Sequence, residues 1–180
     1  MKHTLAVFGS AFNPPSLGHR SVLERLGQFD KVLLLPSYQH AWGKVMLDYN
    51  ARCDLVGAFI SDIGQSNLEL STLEQQIAID DNAVTTFAVL EALQLQYPDS
   101  NITFVIGPDN FLSFQRFYNA DEILKRWQVM ACPETLPIRS TLIRNALVNK
   151  SDISHYTTPT VASMLRNDNR FKFNDEQQGR

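Results

Sequence analysis

Cysteine is scarce in this chain: only Cys53 and Cys132 occur, each inside an apolar run. Two thiols so placed exclude a disulfide framework and a paired-cysteine zinc site, and they fit a reduced, cytoplasmic protein. A dominant charge is lacking too. Sixteen Lys and Arg stand against nineteen Asp and Glu, a formal charge of −3, and no basic run points to nucleic acid. No apolar stretch reaches the length of a bilayer span, and the first residues lack the apolar segment of a signal peptide, so neither membrane nor export is expected. There is no internal repeat and no low-complexity segment. Several catalytic signatures are also missing: a G-x-S-x-G elbow, a cysteine beside a plausible base, an H-E-x-x-H zinc helix, the G-x-x-x-x-G-K-[ST] loop and the G-x-G-x-x-G turn. Nucleophilic hydrolysis, zinc proteolysis, P-loop hydrolysis and dinucleotide redox binding therefore have little support.

What is present is a chain of 180 residues, 44% hydrophobic, long enough to bury a core as one domain. Strand-like runs occur at 4–8, 31–36, 68–71, 102–107 and 128–132. Helical patterns lie between and after them, at about 18–28, 51–63, 82–96, 120–127, 140–149 and 158–167. Leu55, Val56, Phe59, Ile60 and Ile63 form one stripe of period 3.6; Val84, Phe87, Leu90, Leu93 and Leu95 form another, which Pro98 stops. Continuous apolar strands alternating with helices predict an α/β fold, a parallel sheet with helices on both faces. The core is expected over about 1–135, a C-terminal helical segment over 136–170 and a polar tail over 171–180. Ligands of such sheets bind beyond the carboxyl ends of the strands.

At the end of the first strand lies "GSAFNPPSLGH", residues 9–19. Gly9 and Gly18 allow close backbone approach, Pro14 and Pro15 stiffen the path, and a helix begins at the end. Free N–H groups and the helix dipole make such a loop an anion site. His19, in the first turn, can donate to a phosphate oxygen, and negative charge nearby favours its protonated form. After the fifth strand, "LPIRSTLIR", residues 136–144, places Ser140 and Thr141 at a helix start and Arg144 one turn on, a second polyphosphate grip. Each stretch has a plainer reading, a surface turn in one case and an ordinary helix cap in the other.

Together the two stretches resemble the nucleotidyltransferase superfamily with the [HT]-x-G-H signature, and among its members bacterial nicotinate/nicotinamide mononucleotide adenylyltransferases. The family pattern G-G-x-F-[DN]-P-x-H-x-G-H is similar to residues 9–19, and I-S-S-T-x-[IV]-R to "IRSTLIR" at 138–144. "VIGPDNFLSF" at 105–114 is similar to the family's I-I-G-x-D-x-L, and "TTPTVASMLR" at 157–166 to its P-x-x-V-x-x-Y-I helix. The resemblance runs through nearly the whole chain in order. It departs at Ser16, where the family has His or Thr, at Arg139 in place of a serine, at "YQHAWGK" (38–44) in place of P-P-H-K, and at Phe117, where many members stack a tryptophan on the pyridine ring.

The resemblance implies a Rossmann-like nucleotidyltransferase domain over 1–180. It implies attack of a mononucleotide phosphate on the α-phosphorus of ATP with pyrophosphate leaving. Positioning and charge neutralisation suffice for that reaction, with Mg²⁺ held mainly by phosphates and water and no protein metal cluster. His19, Ser16 and Arg144 are the implied catalytic set. Gly9, Ser10, Phe12, Gly18, Gly107, Asp109, Ser140 and Thr141 would hold ATP, with Asp109 on the ribose. Thr85, Thr86 and Phe117 would hold the acceptor, joined by Lys44 and Arg52 as phosphate candidates. Threonines at a helix start also serve as caps, and lone surface cations are usually solvated. Trp42 reads as a loop anchor or a lid. Two other readings stay open: a sister transferase for another phosphorylated acceptor such as phosphopantetheine, and a nucleotide-binding protein without turnover. Oligomeric state is left open, a homo-oligomer included.

Overall fold

A computed structural model describes residues 3–39, 46–79 and 83–173. His40, Trp42, Lys44 and the tail from Asn174 lie outside the described residues. Five parallel strands form one sheet in the order β3-β2-β1-β4-β5: β1 Thr4–Ser10, β2 Lys31–Pro36, β3 Leu68–Leu70, β4 Asn101–Ile106 and β5 Gln128–Ala131. The register places Val7 of β1 between Leu33 of β2 and Phe104 of β4. Side chains alternate across a strand, so Ala6 and Phe8 enter one core while Leu5 and Val7 enter the other. All four are buried, as expected of a sheet covered on both faces.

On the Ala6 side pack α1 (Leu17–Leu23), α2 (Tyr49–Ile63), α7 (Ser140–Val148) and α8 (Pro159–Asn167). On the Leu5 side pack α3 (Leu73–Ile77), α4 (Thr86–Gln96) and α6 (Ala120–Arg126). A fifth short helix in chain order, α5 (Pro108–Leu112), follows β4 and leads into a 3₁₀ turn, Phe114–Arg116. The fold is a Rossmann-like α/β sheet, as the strand and helix pattern predicts. Among the described residues no helix is long and apolar enough to cross a membrane.

Three differences from the sequence pattern have physical causes. The first helix ends at Leu23, not near 28, because the chain tightens into i→i+3 bonds from Arg25 to Val22 and from Leu26 to Leu23. Leu95 is 85% exposed: it lies two residues past Leu93, on the far side of α4, whose buried face is Val89, Leu90 and Leu93. The helices α3 and α5 have five residues each, too few to show a period. The ends of α2 follow its sequence closely. Asp48 accepts from the N–H groups of Asn50 and Ala51, and Gly64 closes the helix at φ +68°.

Candidate active site

The chain runs from β1 outward to β2 and β3, then returns to the other side of β1 with β4. The carboxyl ends of β1 and β4 at such a reversal are the usual ligand position of these sheets. Loop 11–16 leaves β1 at that end. Its carbonyls are held by four side chains from three distant segments. Arg52 Nη1 donates to Ala11 O (2.9 Å), Arg144 Nη1 to Asn13 O (2.8 Å), Ser140 Oγ to Pro14 O (2.7 Å) and Thr157 Oγ1 to Pro15 O (2.8 Å). Asn13 adds a fifth tie, its Oδ1 accepting from Leu47 N–H at 3.0 Å. Within this held loop Phe12 adopts φ +45°, a conformation that costs a non-glycine residue roughly 1–3 kcal/mol. The surrounding bonds impose it.

His19 is buried, 8% exposed, with its ring against that of Phe12 at 4.9 Å between centroids. The backbone N–H of Ser16 donates to its Nδ1 at 3.0 Å, while Ser16 Oγ accepts from the His19 N–H in a capping box. A backbone N–H can only donate, so Nδ1 carries no proton and the ring is neutral, its single N–H at Nε2. Burial acts in the same direction and lowers the imidazole pKa to about 4. Without a ligand, His19 is therefore a neutral donor. Its Nε2 lies 3.0 Å from Ser10 Oγ at the end of β1.

Ser16 is corrected. It is fully buried, and its hydroxyl donates to Ile138 O at 2.7 Å, so that proton is engaged with the protein and faces no phosphate. Gly18 permits a close approach, but of this chain's own backbone: a Cβ there would sit 2.3 Å from Ile138 O and 3.2 Å from Leu136 O. Gly9, in β1 beside Leu35 of β2, belongs to the sheet end that launches the loop.

Packed against the loop, α7 has Arg139 as its N-cap residue, with Ser140 and Thr141 in its first turn. Because Ser140 Oγ donates to Pro14 O, its hydroxyl holds the loop and has no proton left for a phosphate. Arg144 lies half-buried and also donates through Nη2 to Thr141 Oγ1 at 3.1 Å. Each of its Nη atoms keeps a second N–H. Its Nε is buried with no partner among the described residues. Beyond β4, Gly107 begins α5 with open space around its Cα. Asp109 is exposed and meets Arg139 Nη2 at 3.4 Å, a surface ion pair.

Phe117 stacks on Phe114 at 5.1 Å and meets Phe104 edge-on. It is half-buried at the end of the α5 segment. Thr85 caps α4, its Oγ1 accepting from Ala88 N–H at 3.2 Å, and Thr86 is the first residue of that helix. Arg52 is corrected: it is 1% exposed, and its donors go to the carbonyls of Leu47, Ala11 and Tyr38. It is a buried clamp, with no solvent-facing guanidinium for an acceptor phosphate.

Sequence reasoning overlooked Asn13, Thr157 and Glu74. Asn13 lies inside the quoted loop, where its side chain could have been read as a turn device. Thr157 and Glu74 carry no local signal. Glu74 accepts from Tyr38 N–H at 2.8 Å, and burial pushes its carboxyl up to about 7. Among the described residues no cluster of three or more His, Cys, Asp or Glu could hold a metal.

The sequence profile of the cytidylyltransferase-like family matches residues 7–154. A Myxococcus xanthus protein assigned as a nicotinate-nucleotide adenylyltransferase is 28% identical over 79% of this chain and 81% of its own length. One from Bacteroides thetaiotaomicron is 25% identical over 89% of each. A crystal structure from Vibrio parahaemolyticus, assigned to the same activity, superposes with a TM-score of 0.84 at 58% identity, covering 92% of this chain and 99% of that one. The Plasmodium falciparum nicotinic acid mononucleotide adenylyltransferase complexed with NaAD shares the fold, with a TM-score of 0.76 at 16% identity over 96% and 98% of the two chains.

Proposed function

This chain belongs to the cytidylyltransferase-like family, and on that premise we propose that it transfers the adenylyl group of ATP to nicotinate or nicotinamide mononucleotide. The products are the dinucleotide and pyrophosphate, a step of NAD biosynthesis carried out in the cytoplasm by one nucleotidyltransferase domain. The relatives' assigned activity supports the reaction. The observation that carries it in this chain is the fixed tautomer of His19, whose only N–H sits beside Ser10 at the carboxyl end of β1.

In this reading a phosphate oxygen of the acceptor attacks the α-phosphorus of ATP in line, and the bond to the pyrophosphate oxygen breaks. No protein nucleophile is needed. The N–H that Ser10 now accepts from His19 is the donor that a phosphoryl oxygen takes as charge builds on it. Arg144 supplies its remaining N–H groups to the triphosphate from α7, aided by the free first-turn amides of Ser140 and Thr141. Gly9, Ser10 and Phe12 line the phosphates through backbone groups. Gly107 and Asp109 receive the adenosine, Asp109 leaving Arg139 for the ribose hydroxyls. Thr85, Thr86 and Phe117 border the acceptor, with the Phe117 ring offering a face to the pyridine. Mg²⁺ would arrive with ATP and neutralise the polyphosphate. A phosphate-bound ion asks few ligands of the protein, and Glu134, near Arg139 and Gly18, is the carboxylate that would meet its waters.

The test is pyrophosphate release from MgATP or MgCTP with a panel of phosphorylated acceptors. Turnover with ATP and nicotinate or nicotinamide mononucleotide is expected. Preference for phosphopantetheine or another acceptor would make the chain a sister transferase. ATP binding with no pyrophosphate from any acceptor would make it a binding protein.

A further inference from the structure

Arg52 is a charged side chain buried in α2 with no ion pair to a carboxylate among the described residues. Its guanidinium packs over the Tyr49 ring at 5.4 Å and donates to three neutral carbonyls, while the carboxyls of Glu74 and Asp48 act on it only through space. The carbonyls belong to three separate segments: Leu47 ahead of α2, Tyr38 beyond β2 and Ala11 beyond β1. A buried cation held this way is costly to desolvate. The geometry it imposes is therefore the feature to explain.

The Ala11–Phe12 peptide is trans; among the described residues the one cis bond is Asn13–Pro14. In a trans peptide the carbonyl and the following N–H point in opposite directions. Arg52 draws the Ala11 carbonyl toward α2, which turns the Phe12 N–H away from that helix. Phe12 holds φ +45° with its ring fully buried against Phe8 and His19, so the amide cannot relax by swinging the side chain out. From this juxtaposition we infer that Arg52 is a positioning residue, which aims the Phe12 amide at the nucleotide phosphates without touching them. The inference rests on the nucleotide reading above. It replaces the acceptor-phosphate role that the sequence suggested for Arg52.

Two variants and one spectrum test it. Arg52→Met keeps the volume and removes every donor; Arg52→Lys keeps the charge but can reach fewer carbonyls. At a temperature well below both melting points, Arg52→Met should weaken MgATP binding and raise the KM for ATP by roughly 10- to 100-fold, the loss of one hydrogen bond to a charged group. The KM for the mononucleotide should be unchanged, and Arg52→Lys should recover part of the loss. Lower thermal stability with unchanged ATP affinity would reduce Arg52 to a structural clamp and overturn the inference. A selective rise in the mononucleotide KM would also overturn it, in favour of the acceptor role. In nitrogen-15-labelled wild-type protein the Phe12 amide proton should move downfield on adding MgATP; an unmoved resonance overturns the inference whether or not the variants fold. Turnover by the wild type is scored separately. A chain that binds ATP but turns over no mononucleotide would refute the proposed reaction and leave the Arg52 comparison intact.

Discussion

The neutral ring of His19 has consequences that separate binding from chemistry. A donor aimed at oxygens that gain charge only as pyrophosphate departs contributes most at that moment. His19→Ala should lower kcat by roughly 10²–10³ with little change in ATP affinity, measured by steady-state kinetics beside a binding titration. A raised KM at normal kcat would make His19 a uniform phosphate contact. The ring's titration has a defined sign. Its folded-state pKa lies at about 4, below the ordinary 6.5, so the stability tied to the neutral ring is present above pH 6.5 and is lost as pH falls toward 4. A nitrogen-15 spectrum of the unliganded protein should show the Nε2–H tautomer at pH 6, and a ring titrating near 6.5 would contradict the capping-box geometry. At this scale the sequence singled out His19, Arg144 and the loop, and the fold brings the three together. It could not show that the hydroxyls of Ser16 and Ser140 donate to carbonyls 122 and 126 residues away, because a serine's partner is set by the fold and leaves no periodic trace. Arg52 misled for the same reason: three carbonyl acceptors are invisible in a sequence, and a lone arginine reads as solvated.

At the scale of elements, the site depends on how α1 meets the segment that enters α7. Gly18, in the first turn of α1, lets the Ile138 carbonyl lie against the helix backbone. Gly18→Ala sets two effects against each other. Alanine favours a helix over glycine by about 1 kcal/mol, while overpacking typically costs about 1–3 kcal/mol. The clash wins here, because the atom at 2.3 Å is backbone and is tied to Ser16 as well. The variant should unfold at lower denaturant concentration and bind MgATP more weakly, and a melt identical to wild type would refute the tight approach. Elements were legible where they were long or strongly apolar. All five strands and the longer helices, such as α2 with its Leu55, Val56 and Phe59 stripe, follow from period and length. The five-residue α3 and α5 do not. Thr85 shows how element and site readings compete, since its hydroxyl is occupied as the cap of α4.

In the whole molecule, the nucleotide loop lies near the start of the chain and most of what holds it lies near the end. Ser140, Arg144 and Thr157 reach Pro14, Asn13 and Pro15 across 126, 131 and 142 residues of sequence. Contacts of such long range close late, because the entropy of bringing distant segments together must be met first. As the chain leaves the ribosome, then, loop 11–16 is among the first segments made and should be among the last to take its working shape. After dilution from denaturant, helix and sheet signals should recover before MgATP binding does, and the lag should lengthen in Thr157→Val, which removes one of the late ties. Simultaneous recovery of both signals would show that the loop forms with the sheet. Sequential recovery would mean that a newborn copy carries its phosphate-binding segment unset until the last quarter of the polypeptide arrives, and so withholds nucleotide turnover from any unfinished chain.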